Sequence, residues 1–237
     1  SKLVQLGLSV DKSVMFPKNY PYTSSTTKIL RDNFSELSEE VFNKFKIQKD
    51  DLVIDIGSND GNLLSNFVGK TRVLGVTPED IGKFAIEKGI PTILDYFTKK
   101  ISEDIMRDYG KAKIITATNV FAHIDNVDEL LKTISNLLTD DGIFISESHY
   151  LMSLIEENQY DTIYHEHLRY YSVSSLQYLL NKHNMEIIFA KKINTHGGSI
   201  RVYASKRNKH QIDQSYHNLV NYEDKELYNK GINNFKY

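Results

Sequence analysis

The spacing of apolar positions changes several times along this chain, and each change marks an element. Lys2-Leu3-Val4-Gln5-Leu6 alternates as a short strand does, and Pro17 and Pro21 then break any period. Ile29, Leu30, Phe34, Leu37, Val41, Phe42 and Phe45 recur at helical spacing, which predicts a helix from an N-cap at Thr26 or Thr27 to about residue 46. Leu52-Val53-Ile54 reads as a strand, and 62–67 returns to helical spacing. Further strands are predicted at 71–76, 91–94, 113–117 and 142–146, with helices at 81–88, 101–109 and 127–138 between them. A helix at 174–184 precedes two closing strands, 185–191 and 199–206, read as an antiparallel pair connected through Gly197-Gly198. Residues 207–237 are polar and read as an extended helix or tail with no core of its own.

This β–α alternation predicts an α/β fold: a doubly wound, mostly parallel sheet of seven strands with helices on both faces. Right-handed crossovers then place Gly57, Thr77, Asp95 and Asn119 along one edge, with His123 at the mouth of the sheet. The expected divisions are a lead-in and helix at 1–48, a ligand-binding domain at 49–206 and a tail or linker at 207–237.

Composition narrows the partners. With 237 residues, 40% hydrophobic and 25% charged, the chain suits one α/β domain with appendages. The net charge of -2 offers no basic excess for nucleic acid or a membrane surface, so neither is an expected partner. No apolar run is long enough to span a bilayer, and no signal-peptide pattern opens the chain. Cysteine is absent, which excludes disulfides and thiolate metal sites within these residues and fits a reducing cytosol. A cytoplasmic monomer is the expectation.

Candidate chemistry collects in two places. The first is Asp55-Ile56-Gly57-Ser58-Asn59-Asp60-Gly61, a tight turn between the first predicted strand of the sheet and a helix. Such a turn brings bare N–H groups and a helix N-terminus up to a ligand. It lacks the Gly-Lys-Ser/Thr ending of a phosphate loop and the spacing of a dinucleotide turn. It matches D/E-x-G-x-x-x-G, the loop that binds S-adenosylmethionine (SAM) in Rossmann-like methyltransferases, with Asn59 able to take left-handed dihedrals where glycine is common. A β–α turn that binds nothing fits the same residues. Thr77 ends the second strand, where an acidic residue usually holds ribose hydroxyls, and Glu79 comes two residues later. Asp95, followed by Tyr96 and Phe97, is placed to bond and cover an adenine, or is an ordinary strand end.

The second place is Tyr164-His165-Glu166-His167, the densest titratable cluster. Its histidines stand at i and i+2 and point apart on a helix or a strand, so no metal is expected. The alternatives are a polar loop and acid–base chemistry, in which a histidine takes a proton, Glu166 fixes its tautomer and Tyr164 donates to an oxyanion or sugar oxygen.

Four blocks in order resemble the SAM-dependent sugar C-methyltransferases that act on nucleotide-linked 4-keto deoxysugars. They are Tyr20-Pro21-Tyr22-Thr23-Ser24-Ser25, the run from Asp55 through Leu64, Tyr164-His165-Glu166-His167 with Tyr171-Ser172 following, and the block His196 to Tyr203. The Asn119…His123-Ile124 block sits between them. The resemblance implies a Rossmann-like methyltransferase fold, SAM as cofactor with S-adenosylhomocysteine as product, and a nucleotide-linked sugar as substrate. It further implies Asp55, Gly57, Asn59, Gly61, Thr77, Asp95 and Asn119 on the cofactor side. On the substrate side it implies His167 as general base, Glu166 orienting it, Tyr164 and His123 binding the enolate oxygen or shuttling a proton, and Tyr22 on the opposite wall. His196-Gly197-Gly198 would let backbone approach the substrate, or is a tight bend. Members of that family also carry an N-terminal zinc-binding segment and a second Rossmann-like domain, so this chain is expected to be a middle piece or a shortened relative. O- or N-methylation of a sugar nucleotide or of a capsule or antibiotic precursor is the alternative activity. A non-catalytic module on the same fold is the alternative class.

Overall fold

The computed structural model describes residues 3–19 and 22–231. Tyr20 and Pro21 of the aromatic block, Lys2 of the first strand and the end of the tail lie outside the described residues. In chain order the elements begin with β1 (Val4–Gln5), α1 (Lys12–Met15), α2 (Lys28–Lys44), β2 (Leu52–Ile56), α3 (Asn62–Ser65) and β3 (Arg72–Val76). Then come α4 (Gly82–Glu87), β4 (Thr92–Ile93), α5 (Lys99–Asp108), β5 (Ala112–Thr118), α6 (Val127–Leu137) and β6 (Leu138–His149). The chain closes with α7 (Leu151–Glu156), β7 (Arg169–Tyr170), α8 (Val173–Asn181), β8 (Met185–Ile193), β9 (Ser199–Lys206) and α9 (Gln214–Glu223), followed by a π-helical stretch, Asp224–Gly231.

Seven strands form one sheet in the order β4-β3-β2-β5-β6-β9-β8. The pairs β2–β3, β2–β5 and β3–β4 are parallel, and β8–β9 is antiparallel. β1 and β7 pair separately. All five residues of β2 are buried, which is why its sequence reads as an apolar run broken only by Asp55. Helix starts follow local capping: the Thr27 side chain accepts from Leu30 N–H at 3.4 Å, Thr98 from Ile101 N–H at 3.3 Å, and Ser172 and Ser175 form a reciprocal capping box on α8. Among the described residues, no helix is long and apolar enough to cross a membrane.

The described chain forms two compact units. One comprises residues 10–117 and 132–144 and contains α2, β2, β3 and β4. The other comprises residues 1–9, 118–131 and 145–237 and contains α7, α8, β8, β9 and α9.

Two expectations need correction. The fifth predicted strand, read as 142–146, runs over Leu138–His149, because α6 passes directly into it. The tail, read as lacking a core, is anchored within the second unit. α9 packs on β8, and Glu223 at its end is fully buried. The Glu223 carboxylate accepts four hydrogen bonds: from Val173 N–H (2.5 Å), Ser174 N–H (2.9 Å), Ser174 Oγ (2.7 Å) and Tyr150 Oη (2.9 Å). The two N–H groups belong to the first turn of α8, where unpaired donors and the helix dipole favour a negative charge. A polar tail therefore docks through a buried charge, together with the buried Leu227 side chain.

Removing that charge strands several buried donors at once. Glu223→Ala should destabilise folding by on the order of 3 kcal/mol in urea titrations. A change within experimental scatter would mean the α8 terminus does not depend on it.

Candidate active site

In the first unit, the turn after β2 is held from inside. Asp55 is 2% exposed and its Oδ1 accepts from Thr116 Oγ1 at 2.6 Å. Gly57, Asn59 and Gly61 have φ of 73°, 51° and 77°, the left-handed region that glycine and asparagine reach most easily. Gly57 N–H and Ser58 N–H both donate to Val76 O, at 2.8 and 3.2 Å, and Gly61 N–H donates to Ser58 O at 2.9 Å. The picture of a bare turn leading into a helix N-terminus is thus corrected. These three N–H groups have partners, and α3 is four residues long, too short to sum a useful dipole.

Thr77 is fully buried and its hydroxyl donates to the Glu79 carboxylate. Glu79, displaced in sequence, is folded back to the end of β3, so a carboxylate does reach this strand end. Asp95 is exposed beyond β4, and its Oδ1 accepts from Tyr96 N–H at 2.7 Å. The Tyr96 hydroxyl donates to Phe16 O at 3.1 Å. Tyr22 lies in a loop bonded to Asn59: Asn59 Nδ2 donates to Tyr22 O at 3.0 Å.

The second unit carries the titratable cluster. His167 is 7% exposed, whereas His165 is exposed; the segment is a turn closed by His167 N–H donating to Tyr164 O at 3.1 Å. His167 Nδ1 lies 3.0 Å from Thr162 O, and because a carbonyl can only accept, Nδ1 carries the proton. Nε2 is then the lone-pair nitrogen, 3.3 Å from the Tyr164 hydroxyl. Tyr170 Oη donates to the same Thr162 carbonyl at 3.1 Å. His123 Nδ1 donates likewise to the main-chain carbonyl of Glu166 at 2.6 Å. Glu166 was expected to orient His167 through its carboxylate. The structure assigns the Nδ1 contact to Thr162 instead, and the Glu166 main chain holds His123.

Two further rings join them. His149, at the end of β6, lies 4.6 Å from the His167 ring centre and 6.1 Å from that of His196; His123 is 5.1 Å from His167. Neither the His149 ring nor the His196 ring was singled out from sequence. The signal was available for His149, because it sits at a strand end like the other candidates; His196 was noted only for the glycines after it. Those glycines make a bend. A Cβ on Gly198 would stand 2.6 Å from Ser153 Oγ, and one on Gly197 would meet the Gln159 side chain at 2.8 Å. Protein side chains fill the space they leave. Asn119 opens the cluster's other side, with φ 57° and its N–H donating to Glu147 O at 2.8 Å.

Burial sets the protonation states. Loss of solvent pushes His123 down to about 4 and is partly offset by its bond to the Glu166 carbonyl. Burial and the nearby charges of His167 and His196 bring His149 to about 4. Burial also lowers His167, against the Thr162 carbonyl and the Glu166 charge, which raise it. The same burial raises Tyr164, with the Glu166 charge adding to it. At neutral pH the histidines are uncharged and the tyrosine is protonated.

Comparison with known proteins gives this geometry a family. Residues 22–189 match the model of a family described as a methyltransferase domain. The chain belongs to that family. It is 34% identical over 205 residues to C-methyltransferase NovU of Streptomyces niveus, a match that covers 86% of this chain and 49% of NovU. The chain therefore spans about half the length of that relative. Among solved structures, the methyltransferase domain superposes on magnesium protoporphyrin IX methyltransferase (ChlM) from Synechocystis PCC 6803 with bound SAH, with a TM-score of 0.56 at 13% identity, covering 73% of this chain and 82% of ChlM. A chain from the complex between the Haloferax volcanii Trm112 methyltransferase activator and the putative methyltransferase gives 0.58 at 10% identity, covering 75% of this chain and 92% of that one. At such identities these two structures establish the Rossmann-like methyltransferase fold.

The neutral histidines predict a pH dependence of stability. Their folded pKa values lie below the unfolded value of about 6.5, so between the two the unfolded chain binds more protons. The contribution of His123 and His149 should be fully present above pH 6.5 and fall away as pH drops toward 4. Urea midpoints measured across that window should decline, and His123→Asn should flatten the decline. A slope unchanged by the substitution would show that His123 does not titrate as its burial requires.

Proposed function

We propose that this chain is the methyltransferase part of an enzyme that methylates a carbon next to a keto group on a nucleotide-linked sugar, with SAM as donor. The observation that carries the proposal is His167: its proton is committed to a carbonyl through Nδ1, and its Nε2 lone pair stands beside a protonated tyrosine.

The glycine-loop unit fits the donor by its chemistry. The Asp55, Glu79 and Asp95 carboxylates suit ribose hydroxyls and a cationic amino-acid portion, and Asn59 and the flanking glycines hold the turn. Thr77 fixes the Glu79 carboxylate. SAM, when bound, supplies a methyl group already activated on a sulfonium sulfur and leaves as S-adenosylhomocysteine.

The histidine cluster supplies the rest. A keto group acidifies the adjacent C–H, and His167 Nε2 takes that proton. The Tyr164 hydroxyl donates to the negative oxygen that develops. The carbon made nucleophilic in this way accepts the methyl group. A base at a carbon acid, rather than at a hydroxyl, agrees with the activity for which the 34% identical relative is named, C-methyltransferase.

The test starts with calorimetry of the chain against S-adenosylhomocysteine, followed by assays on nucleotide-linked 4-keto sugars. In D2O without donor, the wild-type chain should exchange the proton next to the ketone. His167→Gln should slow exchange and methyl transfer by about 10²–10⁴-fold and leave S-adenosylhomocysteine affinity within a few-fold. Undiminished exchange would remove His167 from the base position. Asp55→Ala should weaken S-adenosylhomocysteine binding; unchanged affinity would count against the loop as the donor site.

A further inference from the structure

The loop that carries Tyr22 is built onto the glycine loop. All three polar groups of Ser24 are held there. Its N–H donates to Asn59 Oδ1 (2.9 Å), its Oγ donates to Asp60 Oδ1 (2.7 Å), and its carbonyl accepts from Asn62 Nδ2 (3.2 Å). The remaining half of the Asn59 amide donates to Tyr22 O at 3.0 Å. One side chain thus bonds the carbonyl of residue 22 and the N–H of residue 24, the groups that a neighbouring strand would otherwise take. Ser24 and Asp60 are 7% and 2% exposed, so these bonds are shielded from water. The Tyr22 side chain stays 42% exposed, with its main chain gripped and its ring open to a ligand.

This gives Asn59 a role beyond its dihedrals. Its φ of 51° is one that glycine would adopt with less strain. Glycine has no amide, and without one the Tyr22 loop would lose its contacts to position 59. Position 59 therefore combines the turn with a grip on the aromatic loop.

We infer that Asn59, supported by Asp60 and Asn62, is a positioning residue that couples occupancy of the donor site to the placement of Tyr22. A donor in its site tightens the loop that receives the substrate. The inference rests on the reading of the glycine loop as the donor site. Coupling of this kind is reciprocal, so substrate held by the ordered loop tightens the donor in turn.

Hydrogen exchange of the full chain, with and without saturating S-adenosylhomocysteine, tests it. In the wild type, S-adenosylhomocysteine should slow exchange at the amides of residues 22–26 by about 10-fold. Asn59→Gly keeps the left-handed turn; at S-adenosylhomocysteine concentrations raised to saturate the variant, it should lose that ligand-dependent slowing. The double variant Ser24→Ala with Asn62→Ala leaves residues 57–61 and the two Asn59 bonds in place and removes their support, so it should lose part of the slowing, which answers the question if Asn59→Gly does not fold. Binding without slowing in the wild type, or slowing that survives undiminished in both variants, would overturn the coupling alone. Failure of the wild type to bind S-adenosylhomocysteine would overturn the donor-site reading and the coupling together.

Discussion

The second unit depends on a charge pair with no access to water. Arg201 Nε and Glu147 Oε1 are 2.6 Å apart, and both side chains are completely buried. Taking two ions out of water costs several kcal/mol each, recovered only if the geometry is good. Glu147 lies on β6 and Arg201 on β9, adjacent strands of the sheet. The main-chain carbonyl of Glu147 accepts from Asn119, which starts the turn leading to His123. Just past Glu147, Tyr150 N–H donates to Gly198 O at 3.2 Å, tying the end of β6 to the bend before β9. His149 and His196 occupy those two tied ends. An apolar pair would fill the same volume, but a directional bond penalises a slide of β6 against β9 that apolar packing would tolerate.

Given that frame, main-chain carbonyls decide what the rings do. An imidazole free in solution exchanges tautomers, and a buried one takes the tautomer its neighbours allow. Thr162 O binds the Nδ1 proton of His167 and leaves its Nε2 as acceptor, and Glu166 O holds Nδ1 of His123. A carboxylate in the place of Thr162 would have stabilised imidazolium and produced a ring charged at neutral pH. A carbonyl orients with much less charge stabilisation, which suits the proposed base, a group that must start neutral to accept a proton.

Much of this was legible in the amino-acid order, for physical reasons. β2 and β5 are buried strands and advertise themselves as apolar runs; Thr27 and Thr98 sit where helix caps belong. Asp55, Asn59, Gly61 and His167 stood out because a turn and a titratable cluster are local patterns. What escaped was nonlocal. Nothing near Glu223 says that it reaches the start of α8, and nothing near Thr162 says that its carbonyl holds His167. Glu79 looked misplaced because position along the chain stood in for position in space, and a turn after β3 brings its carboxylate back to Thr77. Asn59 is the instructive case. Its left-handed dihedral was a sufficient reason for its identity, and the grip on Tyr22 and Ser24 adds a second that no local rule contains.

One cause, applied to two kinds of group, then yields the division of labour that enolisation requires. Burial disfavours whichever form is charged. For His167 that is the imidazolium, so its pKa falls; for Tyr164 it is the phenolate, so its pKa rises. The two groups are 3.3 Å apart and their titrations are driven in opposite directions, away from neutrality on either side. At pH 7 the imidazole is in the form that can accept a proton and the phenol in the form that can donate a hydrogen bond. Groups whose environments separate their pKa values in this way take distinct acid and base roles. In the proposed reaction the roles are complementary: the base removes the proton while the hydroxyl donor meets the oxygen that receives the charge. The Glu166 carboxylate acts on both groups in one direction: its charge offsets part of the fall at His167, favouring the protonated ring once the proton arrives, and adds to the rise at Tyr164.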